Sequence, residues 1–141
     1  MKIIPPILLC LALAAGFFAP DIIESIRQSS EQVDLSKYCV LSTQPCVQNE
    51  VSMLLEHDVT RPLVPSTLSV HWPDSEAKSL MVELQGLEMD MGVAKYVLKQ
   101  QENGYYQAQL LLPVCAFDKM TWIGTISDGE STVYPAVKME R

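Results

Sequence analysis

The sequence predicts an all-β domain, a sandwich or barrel of about seven short strands, carried behind an apolar N-terminal segment. Three observations predict it. The first is a run without charge near the start, from Ile3 to Pro20. The second is a change, from about Val47 onward, to short stretches rich in Val, Leu, Thr, Tyr and Trp. The third is the spacing of turn residues at roughly 8–12 positions, with no alternation of strand and helix patterns. Length agrees: 141 residues suit one domain rather than a large multidomain enzyme. With 48% apolar residues the chain is too hydrophobic for a disordered one. A formal net charge of −7 argues against nucleic acid as partner, because duplex binding depends on Lys and Arg at phosphates.

Residues 1–20 read as a transmembrane helix or signal anchor. Lys2 supplies a basic flank, and a run of about 18 apolar residues is enough to span a bilayer. Pro5 and Pro6 fall in its first turn, where proline is tolerated. Lys2 before the run, with Asp21 and Glu24 after it, orients the N-terminus toward the cytoplasm and the remainder outside. An uncleaved anchor is favoured over a cleaved signal, since no strong A-x-A precedes a polar segment. Residues 21–46 read as a juxtamembrane linker carrying cysteines. Ile22, Ile23, Ile26, Val33 and Leu35 recur near helical spacing, as a short continuing helix or a plain spacer would have them.

The β-domain is expected over residues 47–141. Strands are expected at 47–56, 68–72, 80–87, 95–100, 105–112, 121–126 and 132–139. Alternation is clearest at 80–87, where Leu80, Val82 and Leu84 share one face. Asn103-Gly104 and Asp128-Gly129 give tight-turn signals. The expected core comprises Leu54, Leu68, Val70, Leu80, Val82, Leu84, Val97, Tyr106, Leu110, Leu112, Trp122, Ile126 and Val137.

Beyond the anchor lie Cys39, Cys46 and Cys115, in an oxidising compartment on either reading of the anchor. Three is odd, so one thiol is left over. A local Cys39–Cys46 disulfide is preferred. Pairing of either with Cys115 is the alternative, and spacing does not decide between them.

Candidate chemistry centres on the segment Gly86-Leu87-Glu88-Met89-Asp90-Met91-Gly92. Thioethers and thiolates suit Cu(I), so Met89, Met91, Met120, Cys115 and His71 form a possible copper set if the fold gathers them. The plainer alternative is that the methionines fill gaps in the core. His57 reads as a solvated histidine at a strand end. Glu88 and Asp90 read as a solvated face rather than an acid–base pair. There is no G-x-S-x-G, no H-E-x-x-H, no C-x-x-C and no Gly-rich phosphate loop. A thiol enzyme would rest on Cys115 with His71, the only plausible pair. Catalysis is the least favoured class.

An anchor followed by Leu80–Gly92, Gly104-Tyr105-Tyr106, Leu112-Pro113-Val114-Cys115 and Met120-Thr121-Trp122 resembles the FixH-like and YtkA-like proteins. The matching features are the Met91-Gly92 turn, the Gly104-Tyr105 strand start and the Met120-x-Trp122 strand, over roughly residues 66–139. The resemblance implies an immunoglobulin-like antiparallel sandwich held at the bacterial inner membrane by a single span, with its C-terminal domain in the periplasm. It implies a non-catalytic accessory role, as an assembly factor for a respiratory complex such as a cytochrome oxidase. Its partners would be the membrane and a membrane protein complex. Copper binding or delivery is the alternative role, and no resident cofactor is otherwise expected. The sequence departs from the family in adding Cys39 and Cys46 ahead of the sandwich.

Overall fold

A computed structural model describes residues 33–141. The expected anchor, residues 1–20, and the linker up to residue 32 lie outside the described residues. Among the described residues no helix is long and apolar enough to cross a membrane. The folded unit runs from Leu35 to Arg141.

After a single 3₁₀ turn at Leu35–Lys37, everything regular is strand. The strands are β1 (Cys39–Val40), β2 (Cys46–Gln48), β3 (Val51–Leu55), β4 (Ser66–His71), β5 (Ser79–Gly86), β6 (Val93–Gln100), β7 (Tyr105–Leu110), β8 (Lys119–Ser127), β9 (Thr132–Val133) and β10 (Pro135–Glu140). They form one sheet in the order β1-β10-β8-β5-β6-β7-β4-β3-β2, with β9 paired to β8. Every pairing is antiparallel except β1 with β10. The all-β expectation holds, with ten strands among the described residues rather than about seven. The sheet also takes in Cys39–Val40 and Cys46–Gln48, residues assigned above to the linker and to the head of a longer strand.

The expected strand at 47–56 is in fact a hairpin. Gln48 faces Val51, and Asn49 and Glu50 turn the chain between them at φ 49° and 67°. Two consecutive residues at positive φ match the right-handed twist of the flanking strands. The Asn103-Gly104 turn forms where expected, at φ 26° and 78°.

The sheet curls until its two edge strands, β1 and β2, come together. Disulfide-bonded Cys39 and Cys46 join them, with Cα atoms 6.0 Å apart. Gln48 closes the same seam by side chain: its Nε2 donates to Lys37 O at 2.9 Å, and its Oε1 accepts from Tyr134 N at 2.6 Å. Leu55 N donates to Ser42 O across it. The result is nearly a barrel. On the opposite side the sheet is thin, because β6 and β7 pair only at Lys99–Gln107 and Gln100–Tyr106.

Inside lie Leu41, Met53, Leu55, Leu68, Val70, Leu80, Val82, Leu84, Leu98, Tyr106, Leu110, Trp122, Ile126 and Val137 among others, all buried. Two expected core members are corrected. Leu54 is half-buried and Val97 is 48% exposed, while their neighbours Met53, Leu55 and Leu98 are buried. A shift of one position moves a strand residue to the other face of the sheet. The buried Tyr106 hydroxyl is satisfied by the carbonyls of Ala77 and Ser75, at 2.7 and 3.2 Å.

Candidate functional site

The methionine segment lies at the end of the barrel where β5 stops and β8 begins. Gly86 faces Trp122 in the ladder. The loop that follows is fastened to β8: Leu87 N donates to Thr121 O at 2.8 Å, and Thr121 N donates to the Glu88 carboxylate at 2.7 Å. Asp90 accepts from Gly92 N at 2.9 Å, a short side-chain turn that leads into β6. Both carboxylates therefore hold the loop.

Gly86 is what lets this end close. A Cβ there would overlap the Met120 methyl and the Met89 carbonyl. The loop backbone at Met89 thus comes down over Met120, which is buried, while the Met89 side chain is 38% exposed. Met91 is half-buried against the core. Cys115 sits in the connection from β7 to β8. It is a free, buried thiol that donates to Phe117 O at 3.1 Å.

His71 is elsewhere. It pairs with Tyr105 at the start of β7, and the two rings stack at 4.2 Å between centroids. Cys115 follows the far end of that strand. The fold therefore groups Met89, Met91, Met120 and Cys115 at one end and places His71 at the other. Among the described residues no three His, Cys, Asp or Glu side chains form a metal-holding group. The Cys39–Cys46 disulfide is the preferred one, and among the described residues it leaves Cys115 as the unpaired thiol.

A second feature was not singled out in the sequence. Backbone groups along β6 alternate in direction. Gln100 N donates toward Lys78 O on the β5 side, so Val93, Lys95 and Val97 direct their N–H and C=O groups the other way. Pairing with β7 ends at Lys99, and among the described residues β6 has no ladder partner on that side from Val93 to Val97. On its outer face Val93 (51%) and Val97 (48%) are exposed, as is Met81 (44%) on β5. Lys95 between them holds Glu83 at 2.7 Å, and Lys99 completes a Val-Lys-Val-Lys row. Two shallow depressions of about 170 and 440 Å³ flank that ion pair. On the inner side burial raises the Tyr96 phenol, whose hydroxyl donates to Leu111 O at 2.8 Å.

Each β6 side chain on this row is unremarkable alone; the early parting of β6 and β7 is what leaves the backbone beside it without a partner among the described residues. Comparison with protein-family models, with characterised proteins and with solved structures finds no match to this chain.

Proposed function

We propose that the chain is a non-catalytic, membrane-tethered accessory protein of the bacterial envelope. Its domain faces the periplasm and captures an extended segment of a membrane protein complex, such as an assembling cytochrome oxidase, along β6. The open β6 edge carries this reading. Unpaired strand edges are templates for a further strand, with main-chain hydrogen bonds giving affinity and alternate side chains giving selection. The outer row Val93, Lys95, Val97 fits a partner strand whose residues on that face, every second one, run apolar, acidic, apolar. The apolar run at residues 3–20 supports the tether, and the Cys39–Cys46 disulfide supports an oxidising compartment.

The fold is proposed to be an immunoglobulin-like sandwich in its finer form. The thin β6–β7 junction supports it, dividing β1-β10-β8-β5-β6 from β7-β4-β3-β2.

Deletion of the gene, followed by the level of assembled oxidase, tests the role. Val97→Pro tests the edge, because proline removes an outward N–H and leaves the β5 ladder intact. Oxidase assembly should fail in the deletion strain, return with wild-type chain or Val97→Thr, and stay impaired with Val97→Pro. Full assembly without the gene rejects the role. Full rescue by Val97→Pro rejects the edge.

The closure of the Met89 loop over Met120 favours a second reading, Cu(I) binding or delivery. Met89, Met91, Met120 and Cys115 offer soft donors at one end, and His71 is not among them. A Met89→Leu, Met91→Leu double variant should lower Cu(I) affinity at least about tenfold, or about 1.4 kcal/mol. Wild-type protein that takes up no copper ends this reading.

A further inference from the structure

Where β6 loses β7, β7 loses β6. Gln101 N donates to Tyr105 O at 2.8 Å, so Tyr105, Gln107, Gln109 and, past the strand end, Leu111 direct their backbone groups toward β6. Pairing stops at Gln107, and among the described residues Gln109 and Leu111 have no ladder partner on that side. They face Val93, Lys95 and Val97 across a gap in the wall of the barrel. The Tyr96 hydroxyl bridges it, donating to Leu111 O at 2.8 Å. A whole phenol spans that bond, so the strands stand farther apart there than one ladder spacing of about 4.8 Å.

Burial follows the gap. On the inner face of β6, Leu98 is fully buried beside the point where β7 joins, while Tyr96 and Ala94 are half-buried although both pack against the core. Ala108, on the inner face of β7, is also half-buried. Two small side chains and one ring thus line an apolar opening. The outer faces carry Lys95 on β6 and uncharged Gln107 and Gln109 on β7, so no β7 carboxylate repels an acidic residue placed between them.

We propose that the captured segment enters this gap and forms ladders with both strands, rather than lying along β6 alone. This rests on β6 being the place of capture, and adds where the other edge of the partner goes. β6 and β7 are antiparallel, so the entering strand runs parallel to one and antiparallel to the other, and both ladders are permitted. Its N–H takes over Leu111 O, and the Tyr96 proton passes to another acceptor, such as a carbonyl of the partner. Alternate side chains point inward beside Ala94, Tyr96 and Ala108. The partner is therefore apolar at its inward positions, and apolar, acidic, apolar at its outward ones. Tyr96 is a latch that the partner must open.

The test uses isotopically labelled full-length chain in detergent micelles. The probe is a serine-flanked peptide containing Val-Leu-Glu-Leu-Val, and its control contains Val-Ser-Glu-Ser-Val. Amide shifts and hydrogen exchange are followed at Val93, Lys95, Val97, Gln109 and Leu111. The leucine peptide should shift all five saturably and slow their exchange. The serine peptide should bind at least about tenfold more weakly. Tyr96→Phe removes the latch bond and keeps the ring, so it should tighten binding about three- to tenfold. Val97→Pro should weaken binding, and Val97→Thr should not. Protection on β6 with Gln109 and Leu111 unchanged overturns insertion and leaves capture along β6 standing. Equal binding of the two peptides, or unchanged affinity in Tyr96→Phe, also overturns insertion alone. No saturable shift with either peptide, or slow exchange of all five amides already in the free chain, overturns insertion as well, and capture by β6 is then judged by the oxidase-assembly experiment.

Discussion

Gln48 and Tyr134 meet across the closing seam of the sheet, Tyr134 N donating to Gln48 Oε1 at 2.6 Å. The same amide donates to Lys37 O, so one side chain on β2 ties the 3₁₀ turn ahead of β1 to the residue ahead of β10. Beside it Lys37 Nζ lies 4.5 Å from the Tyr134 ring centroid, and the Tyr38 and Tyr134 rings meet edge to face. Gln48→Ala should lose about 1–2 kcal/mol, two modest hydrogen bonds. Replacing Cys39 and Cys46 by serine should cost about 2.5 kcal/mol, the loop-closure value for a short loop. Urea denaturation of each variant checks both figures. An unchanged midpoint in the serine variant would mean that the seam holds without its covalent link.

Acid should weaken the fold through carboxylates that hold backbone N–H groups. The N–H and hydroxyl of Thr43 keep the Asp58 carboxyl below its usual 3.8, and the N–H of Thr67 keeps Glu56 below 4.5. At Asp128 partial burial pushes upward, and bonds from Ser131 N and Glu130 N outweigh it, so that group is lowered too. A lowered folded-state value means stability present above the unfolded value and lost as pH falls through the folded one. The melting temperature should therefore be level above about pH 5 and decline below about pH 4. Asp58→Asn should make that decline shallower. Glu56 and Asp58 are exposed and Asp128 is only partly buried, so each change is small.

Gly124→Ala should be among the most damaging single changes to the sheet. A Cβ at Gly124 would overlap the Glu83 carbonyl of the neighbouring strand, and backbone cannot move aside as a flexible side chain does. A loss of about 3 kcal/mol is expected, at the upper end for forced overpacking. Thermal unfolding measures it. A cost below about 1 kcal/mol would mean that β5 and β8 lie farther apart than their register implies.

Leu98 and Val97 should respond oppositely to truncation. Leu98 is fully buried, so Leu98→Ala should cost about 2–5 kcal/mol. Val97 is half exposed, and Val97→Ala should stay within about 0.5 kcal/mol. Equal effects would place β6 in a different register.

The same pair marks how far the sequence was legible. Leu80, Val82 and Leu84 alternate with polar residues over enough positions to identify their buried face. In 95–100 the apolar residues Val97 and Leu98 are adjacent, and only the pairing with β5 decides which turns inward. The β2–β3 turn was missed because Glu50 is not a residue that marks positive φ, whereas Asn103-Gly104 announces itself. The Cys39–Cys46 disulfide was legible only as the preferred of several pairings, since a spacing does not state the distance between Cα atoms. The methionine end was legible as a segment, and its separation from His71 was not, since that depends on which strands run side by side. The β6 edge is a product of tertiary arrangement alone.

The order of the strands also sets a timetable. β1 finds its ladder partner in β10, at the far end of the described chain, so Cys39 has no ladder partner until Pro135 is in place. Its covalent partner Cys46 is only seven positions away. Oxidation can therefore precede closure, and the sulfur link holds the first two strands in order while the rest of the sheet is laid down. Reducing conditions should then slow refolding as well as lower stability, because two edges that meet last must first find each other unaided.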